Sequence, residues 1–312
     1  MELTSAEIRR AVRAALAEDL GGGDATTLAT VPQNARSVAL LRAREPLVVA
    51  GIGFAETAFR EVAAKYFRRD EFHESPTSGI LKSGTRGTRP SDGNIKIEII
   101  AQDGQYVAAG KTLLKISGPA RAILSAERVA LNFVQRLSGI ATLTAQFVEA
   151  VRGTSAQILD TRKTTPGWRR FEKYAVACGG GKNHRIGLFD MILIKDNHLA
   201  ALKNAKPNAI AAAIQRARKK FPKLKVEVEA DTLKQVEHAL AAGADFILLD
   251  NMNLKQLRAA VKIVNGRAKT EASGGVNLKT VRAIAETGVD FISVGALTHS
   301  ARAVDIGLDF EG

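Results

Sequence analysis

Short apolar runs alternate with amphipathic segments throughout the second half of the chain. The apolar runs predict strands at residues 157–159, 191–194, 226–228, 246–249, 270–272 and 291–294. Helical periodicity lies between most of them, at residues 169–177, 208–221, 233–242, 254–264 and 278–286. Strands that alternate with helices at this spacing are typical of parallel βαβ units. The pattern therefore predicts an α/β fold built on a parallel sheet.

Polar or small residues at the ends of these predicted strands distinguish two parallel-sheet architectures. They are Asp160, Lys195, Glu229, Asp250, Ser273 and Gly295. An open doubly wound sheet concentrates functional residues at one switch point, whereas every strand of a closed barrel contributes to the same mouth. Because each of these residues follows a different strand, we predict a TIM-like α/β barrel over residues 138–299.

The first half of the chain has a mixed pattern that predicts a separate α/β domain. Thr4 and Glu7 have the spacing of a capping box in front of an amphipathic helix over residues 4–20. Further patterns predict helices at 54–67 and 120–137 and strands at 38–43, 47–50, 95–101 and 112–116. We predict an N-terminal domain over residues 1–137, closed by the long helix, and expect residues 300–312 to pack back on it. The Ser-, Thr-, Gly- and Pro-rich segment 73–94 predicts a loop or a disordered excursion.

Composition narrows the classes of partner. The 312 residues carry a net charge of +13, which is compatible with nucleic acid, an acidic membrane surface or anionic small molecules. Aromatic residues make up only 5%, which argues against base stacking, so we expect no nucleic-acid partner. No apolar run approaches the roughly 20 residues of a membrane span, so we expect no membrane partner. The single cysteine and the acids near the N-terminus lead us to expect a cytoplasmic protein.

The segment 159–198 concentrates cationic side chains at predicted strand ends and beside a Gly-rich turn. These are Arg162, Lys163, His184, Arg185 and Lys195. Guanidinium forks bind carboxylate or phosphate bidentately, so the set suits a polyanionic small molecule. The alternative is a solvated basic face, which is the interpretation that we favour for the basic run at 203–225.

Two further groups of residues follow the later strands. Glu229 and Asp250 end successive strands, and they could be salt-bridge partners or a Mg²⁺ site. The second alternative follows because carboxylates repel a polyphosphate unless a metal ion lies between them. The glycine-containing segments Ser273–Gly275 and Val294–Ala296 allow backbone N–H groups to approach a phosphate, although ordinary β-to-α turns also use glycine.

Three strings in this chain are distinctive: TRKTTPG at 161–167, GGGKNHRIGL at 179–188 and LIKDNH at 193–198. They resemble quinolinate phosphoribosyltransferase, the decarboxylating enzyme family of NAD synthesis. The similarity runs almost end to end, over 15–27, 118–142, 227–252 and 271–310 in the same order. It implies an N-terminal α/β sandwich domain and an incomplete TIM-like α/β barrel, in dimers or higher homo-oligomers. A relative with the same fold, associated with molybdate-transport operons, uses a different acceptor and is the alternative; it is expected to lack part of the cation set.

The resemblance also implies roles for individual residues. The implied reaction transfers phosphoribosyl from phosphoribosyl pyrophosphate to quinolinate with loss of CO₂, and its catalytic residues are Lys163, Glu229 and Asp250. Quinolinate would be held by Thr161, Arg162, Lys163, His184, Arg185 and Lys195, and by Arg128 donated across a dimer interface. Ribose and Mg²⁺ would lie at Glu229 and Asp250. Phosphate would lie at Ser273, Gly274, Gly275, Val294, Gly295 and Ala296.

Overall fold

The computed structural model describes residues 1–70 and 95–311, so the predicted loop at 73–94 lies outside the described residues. The helices are α1 (Ser5–Leu20), α2 (Ala25–Thr30), α3 (Ile52–Asp70), α4 (Ala120–Ala150), α5 (Arg169–Cys178), α6 (Asp196–Ala200), α7 (Ala209–Lys220), α8 (Leu233–Ala241), α9 (Leu254–Val264), α10 (Val281–Ala285) and α11 (Ala296–His299). The strands are β1 (Arg36–Ala43), β2 (Leu47–Val48), β3 (Lys96–Ile99), β4 (Tyr106–Val107), β5 (Thr112–Pro119), β6 (Gln157–Leu159), β7 (Ile192–Ile194), β8 (Val226–Ala230), β9 (Phe246–Asp250), β10 (Lys269–Ser273), β11 (Phe291–Ser293) and β12 (Ile306–Glu311).

The first of two compact units contains residues 2–139 together with the end of the chain from residue 302. Its antiparallel sheet has the order β12-β1-β5-β3, and β2 pairs with β4 beside it. The final strand, β12, runs along β1 from Ala43↔Ile306 to Val38↔Glu311. Helix α1 packs against α3 and begins with the predicted capping box, in which Thr4 and Glu7 cap each other's backbone N–H.

Helix α4 is longer than the sequence pattern predicts. The prediction ended it at Leu137, before a glycine, whereas the structure continues it to Ala150. Gly139 lies in the interior of this helix. A Cβ at this position would come within 1.9 Å of the Arg302 carbonyl oxygen, so a larger residue would not fit. This glycine permits close packing between two backbones, and it does not end the helix.

The second unit, residues 140–301 with Met1, is built on a six-stranded parallel sheet. The strand order is β6-β11-β10-β9-β8-β7, so the first strand of the sheet pairs with the last. Such pairing closes a sheet of consecutive parallel strands into a barrel, whereas a doubly wound sheet would reverse its order at a switch point. The described residues of β6 and β7 do not pair with each other. The predicted incomplete TIM-like barrel is therefore confirmed.

Alternation along the barrel strands separates polar from apolar side chains. On β8, Glu227 and Glu229 share one face while Val226 and Val228 lie on the other, fully buried. Helices α7 and α8 pack against this strand. Within the described residues, no helix combines the length and apolarity needed to cross a bilayer.

Candidate active site

The carboxyl ends of the barrel strands open into one cavity of about 780 Å³. The residues predicted from strand ends, Asp160, Lys195, Glu229, Asp250, Ser273 and Gly295, all line it. So do the other predicted site residues Thr161, Arg162, Lys163, His184, Arg185, Gly274, Gly275 and Ala296. Closure of the sheet is the reason that positions more than 100 residues apart in sequence share this cavity.

Cationic side chains crowd one side of this cavity. Burial and the nearby charge of Arg162 lower the pKa of Arg185 below its ordinary value. The Arg162 Nε atom is buried and has no hydrogen-bond partner among the described residues. Like charges that are held close with an unused donor gain energy from an anion placed between them. This side of the cavity therefore suits a carboxylate ligand.

His184 is held by the protein at all four of its polar atoms. Its backbone N–H donates to Asp160 Oδ1 at 2.8 Å, and its carbonyl oxygen accepts from Lys173 Nζ at 3.0 Å. Its Nδ1 accepts from the Arg185 N–H at 2.8 Å, and its Nε2 lies 3.0 Å from Glu227 Oε2. In this structure both ring nitrogens are engaged by the protein, so its ring position is fixed before any ligand binds.

Two glutamates behind His184 form a buried acidic pair. His184 Nε2 lies 3.5 Å from Glu271 Oε2, and the Ser293 hydroxyl donates to the other oxygen of Glu271. Burial and the adjacent charge of Glu227 raise the pKa of Glu271 to about 8. Burial opposes a charge on His184, but its hydrogen bond to Glu227 and the neighbouring carboxylates outweigh it and raise the pKa of His184.

His184, Glu227 and Glu271 together have the composition of a metal site. Their ligand atoms lie within 4.8 Å of one another. However, burial and the adjacent Glu227 raise the pKa of Glu271 to about 8, above the usual range of a carboxyl group. A neutral Glu271 near pH 7 removes the need for a cation at this point.

Glu229 and Asp250 also line the cavity, and both are partly buried, whereas Glu227 and Glu271 are fully buried. The Lys195 ammonium donates to Glu229, whose side chain is 10% exposed. Asp250 Oδ2 accepts from Asn251 Nδ2 at 2.7 Å. Both acids keep further oxygen lone pairs and line the cavity, so their oxygens fit the preference of Mg²⁺ for oxygen ligands together with water.

Glycines shape the loop after β10. Gly274 has φ +98°, and a Cβ there would lie 2.1 Å from Asn251 Oδ1. Only glycine tolerates both the backbone conformation and this close approach. The N–H groups of Gly274, Gly275 and Gly295 donate to no acceptor within the described chain. Such groups beside a cavity suit the oxygens of a phosphate.

Two predicted site residues do not join the others. Val294 is buried, and its N–H donates to the Leu159 carbonyl oxygen at 2.9 Å, which leaves this group unable to bind a phosphate. The sheet ladder extends one residue past the end of β11, and the strand-end pattern does not reveal that extension. Arg128 lies on α4 in the other unit, and its side chain is exposed.

Some cavity residues were not predicted. Glu271 and Ser293 each lie two positions before a predicted site residue, Ser273 and Gly295, so strand alternation contains the signal that would have found them. His299 also lines the cavity, with Nδ1 2.6 Å from Ser300 Oγ. No periodicity points to His299, since it lies beyond the last barrel strand.

Comparison with known families agrees with this geometry. Residues 140–309 match the family described as quinolinate phosphoribosyl transferase, C-terminal domain. Residues 84–138 match the N-terminal domain of the same family. The chain belongs to the quinolinate phosphoribosyltransferase family. The resemblance noted from its motifs is thereby confirmed.

Individual relatives of this family member cover nearly its whole length. A nicotinate-nucleotide pyrophosphorylase [carboxylating] from Mycobacterium leprae is 43% identical over 305 residues, 96% of each chain. A chloroplastic protein of the same name from Arabidopsis thaliana is 40% identical over 98% of this chain and 83% of its own. The solved nicotinate-nucleotide pyrophosphorylase from Francisella tularensis superposes with a TM-score of 0.84 at 37% identity, over 99% of this chain and 98% of that one.

Proposed function

We propose that this protein transfers the phosphoribosyl group of phosphoribosyl pyrophosphate to quinolinate with decarboxylation, a step of NAD biosynthesis. The products are nicotinate mononucleotide, pyrophosphate and CO₂. One observation carries the proposal. A single cavity joins the cations Arg162, Arg185 and Lys195 to accessible carboxylates and to glycine loops with unused N–H groups. A diacid, a ribose and phosphates would each find matching groups there.

The cations fix the acceptor. Quinolinate has two adjacent carboxylates beside its ring nitrogen, and Arg162 and Arg185 offer two forks that can each hold one of them. Held in this way, the nitrogen attacks C1 of the ribose, a C–N bond forms, and the bond from C1 to the pyrophosphate oxygen breaks. Because both reactants are bound in one cavity, positioning supplies much of the rate enhancement.

Carboxylates stabilise the sugar during this displacement. Loss of pyrophosphate makes the ribose resemble an oxocarbenium ion, and the negative charges of Glu229 and Asp250 stabilise that positive charge. These two residues would also hold Mg²⁺. A Mg²⁺ ion held there would supply positive charge for the oxygens of the pyrophosphate group. Lys195 partly balances Glu229, and the N–H groups of Gly274, Gly275 and Gly295 would bind phosphate oxygens.

Decarboxylation follows from the alkylated ring. Its nitrogen is positively charged, so the C–C bond to the neighbouring carboxylate breaks with its electron pair remaining on the ring carbon. CO₂ leaves, and that carbon takes up a proton. Lys163 lines the cavity and is exposed, so its ammonium is free to approach this region and assist the step.

The decisive test is substrate choice. Purified protein would be supplied with phosphoribosyl pyrophosphate, Mg²⁺ and either quinolinate or nicotinate, and nicotinate mononucleotide would be measured. We expect quinolinate to be used and nicotinate to react about 100-fold more slowly or not at all, because a monoacid leaves buried cations unpaired. Equal turnover of both acids would contradict the proposal, and a dependence on another acceptor would favour the alternative relative.

We also propose that the protein acts as a homodimer or higher oligomer and that Arg128 completes the site of a neighbouring copy. Its exposed position on α4 supports this, since the side chain is available to a partner. Arg128→Ala and Lys163→Ala should each be nearly inactive alone. After subunit exchange, one site of each heterodimer would hold both residues intact, and activity should return to a fraction of wild type.

The control for this experiment is exchange of either variant with itself, which should restore nothing. Absence of recovery despite demonstrated exchange would place Arg128 in its own subunit's site or outside any site. The expected cytoplasmic location stays a prediction; a tagged chain examined by microscopy or cell fractionation tests it directly.

A further inference from the structure

A buried ion pair lies beside the cavity at the end of β6. Asp160 directly follows this strand and Lys173 lies on α5, and neither side chain has any exposed surface. The Lys173 ammonium donates to Asp160 Oδ1. Burial acts on both groups towards their neutral forms, raising the pKa of Asp160 and lowering that of Lys173, while each partner's charge opposes the effect. Taking two charges out of water is costly, so such a pair is a poor way to stabilise a fold alone.

The pair holds a short segment of backbone on both sides. Asp160 Oδ1 accepts from the His184 N–H, and Lys173 Nζ donates to the His184 carbonyl oxygen. The Asn183 amide completes the arrangement by donating to Asp160 Oδ2 at 2.7 Å and to the Lys173 carbonyl oxygen at 2.8 Å. Next to them, Lys182 forms a parallel bridge with Leu159. Residues 182–185 are thus attached to the edge of β6 mainly through polar contacts.

This attachment joins two loops that carry the cations of the acid subsite. Arg162 follows Asp160 by two residues, whereas Arg185 follows the held His184 by one. The two guanidinium groups are close enough for Arg162 to lower the pKa of Arg185. Like charges repel, so their loops would separate unless something fixes them. Asp160 joins the two loops directly through Asn183 and His184, and Lys173 adds a contact from α5 to the second loop.

We propose that Asp160 and Lys173, together with Asn183, are positioning residues that set the separation of Arg162 and Arg185 and thereby the fit of the diacid. The inference rests on the proposed function, because a fixed separation matters most for a rigid ligand with two adjacent carboxylates. An apolar pair could fill the same space but could not receive the His184 N–H and donate to its carbonyl oxygen. The residues assigned to the sugar and the phosphates lie at the ends of other strands, so their positions do not depend on this attachment.

The test uses the double variant Asp160→Asn/Lys173→Met in the full-length protein. Both charges are removed together, because a single substitution would leave an uncompensated charge buried. We expect the KM for quinolinate to rise about 10-fold or more, in line with the cost of a small misplacement of binding groups. The KM for phosphoribosyl pyrophosphate should stay within about 2-fold, as its groups do not belong to the attached segment.

A binding measurement separates this role from a merely structural one. Titration calorimetry with phthalate, a benzene ring with two adjacent carboxylates, reports the acid subsite without turnover. The variant should bind phthalate about 10-fold more weakly, in proportion to the change in KM. A folded variant with wild-type phthalate affinity would overturn the proposal, as would equal weakening towards both substrates.

Two further variants keep the outcome interpretable. Asp245→Asn/Arg218→Met removes an ion pair of 3.0 Å at the other end of the barrel and should leave both KM values unchanged. If the first double variant does not fold, Asn183→Ala carries the test, since it removes only the amide contacts and should still raise the quinolinate KM about 3-fold. An unchanged KM in Asn183→Ala would then overturn the proposal. Failure of the wild type to use quinolinate would instead refute the proposed function.

Discussion

Both ends of the barrel sheet carry charged residues, but the surroundings of these residues differ between the two ends. At the start of the strands, Asp245 accepts from the Val226 N–H at 2.9 Å and contacts Arg218 and Lys225. Burial opposes the effect, yet these contacts hold the pKa of Asp245 below its ordinary value. Asp290 is bound in the same way by Lys269 and the Thr270 N–H, and its pKa is also lowered. Each acid at this end is satisfied by the protein itself.

At the cavity end the charges are left in less favourable surroundings. Burial and a neighbouring acid raise the pKa of Glu271, whereas burial and a neighbouring guanidinium lower the pKa of Arg185. Arg162 has a buried Nε without a partner among the described residues. Perturbed groups that gather in a cleft are typical of functional sites. Charged residues therefore occur at both ends of the barrel, but the groups with unfavourably shifted pKa values, Glu271 and Arg185, lie at the cavity end.

The largest expected effect comes from removing one carboxylate at each end. Asp250→Ala should lower kcat by about 100-fold or more, because the sugar loses electrostatic stabilisation in the transition state. The KM for quinolinate should change little, since this acid does not contact the cations of the acid subsite. The matched variant Asp245→Ala should retain its kcat in the folded protein. Steady-state kinetics with both substrates checks this, and near-normal turnover by Asp250→Ala at saturating Mg²⁺ would contradict the assigned role.

A smaller effect is expected from removing one arginine at each end. Arg162→Met should raise the KM for quinolinate roughly 10- to 100-fold, the usual cost of a lost hydrogen bond to a charged group. Arg218→Met is the control and should leave that KM as it is, because its partner Asp245 lies at the strand starts. If both variants raised the KM equally, the distinction between the two ends would be wrong.

The smallest effect concerns stability and pH. The pKa of Glu271 is about 8 in the folded protein, above the ordinary value of 4.5, so the unfolded chain loses this proton first as pH rises. The stability contributed by the protonated group is therefore complete below about pH 4.5 and is lost as pH rises through about 8. Glu271→Gln carries no such proton. Between pH 6 and pH 9 the free energy of unfolding of this variant should rise by about 3 kcal/mol relative to that of wild type.

Thermal unfolding of both proteins at the two pH values measures this difference. Asp290→Asn is the control, because a lowered pKa changes stability only at acid pH and its difference from wild type should be the same at pH 6 and pH 9. A Glu271→Gln variant whose difference from wild type does not change with pH would show that the buried pair holds no such proton.

Much of the fold could be predicted from local pattern. Strand alternation located the barrel strands, and the residues at their ends do line one cavity. The end of α4 was wrong because Gly139 has the local appearance of a helix stop, while its actual role depends on the distant Arg302 carbonyl group. Val294 was misplaced for a similar reason, since its N–H is taken by Leu159, far away in sequence.

The sequence by itself determined which chemical groups this protein has and the order in which strands present them, because alternation and strand-end position are local properties. Tertiary structure decided how those groups are used. The sequence pattern predicted Asp160 at the end of a strand. Its ion pair with Lys173 and its hydrogen bond from the His184 N–H arise from the packing of α5 and residues 182–185 against β6. Likewise, Glu227 on β8 and Glu271 on β10 are separated by β9, and their carboxyl oxygens come within 4.8 Å of each other only in the folded sheet. Burial and proximity across the sheet raise the pKa of Glu271, and neither quantity is encoded at any single position of the chain.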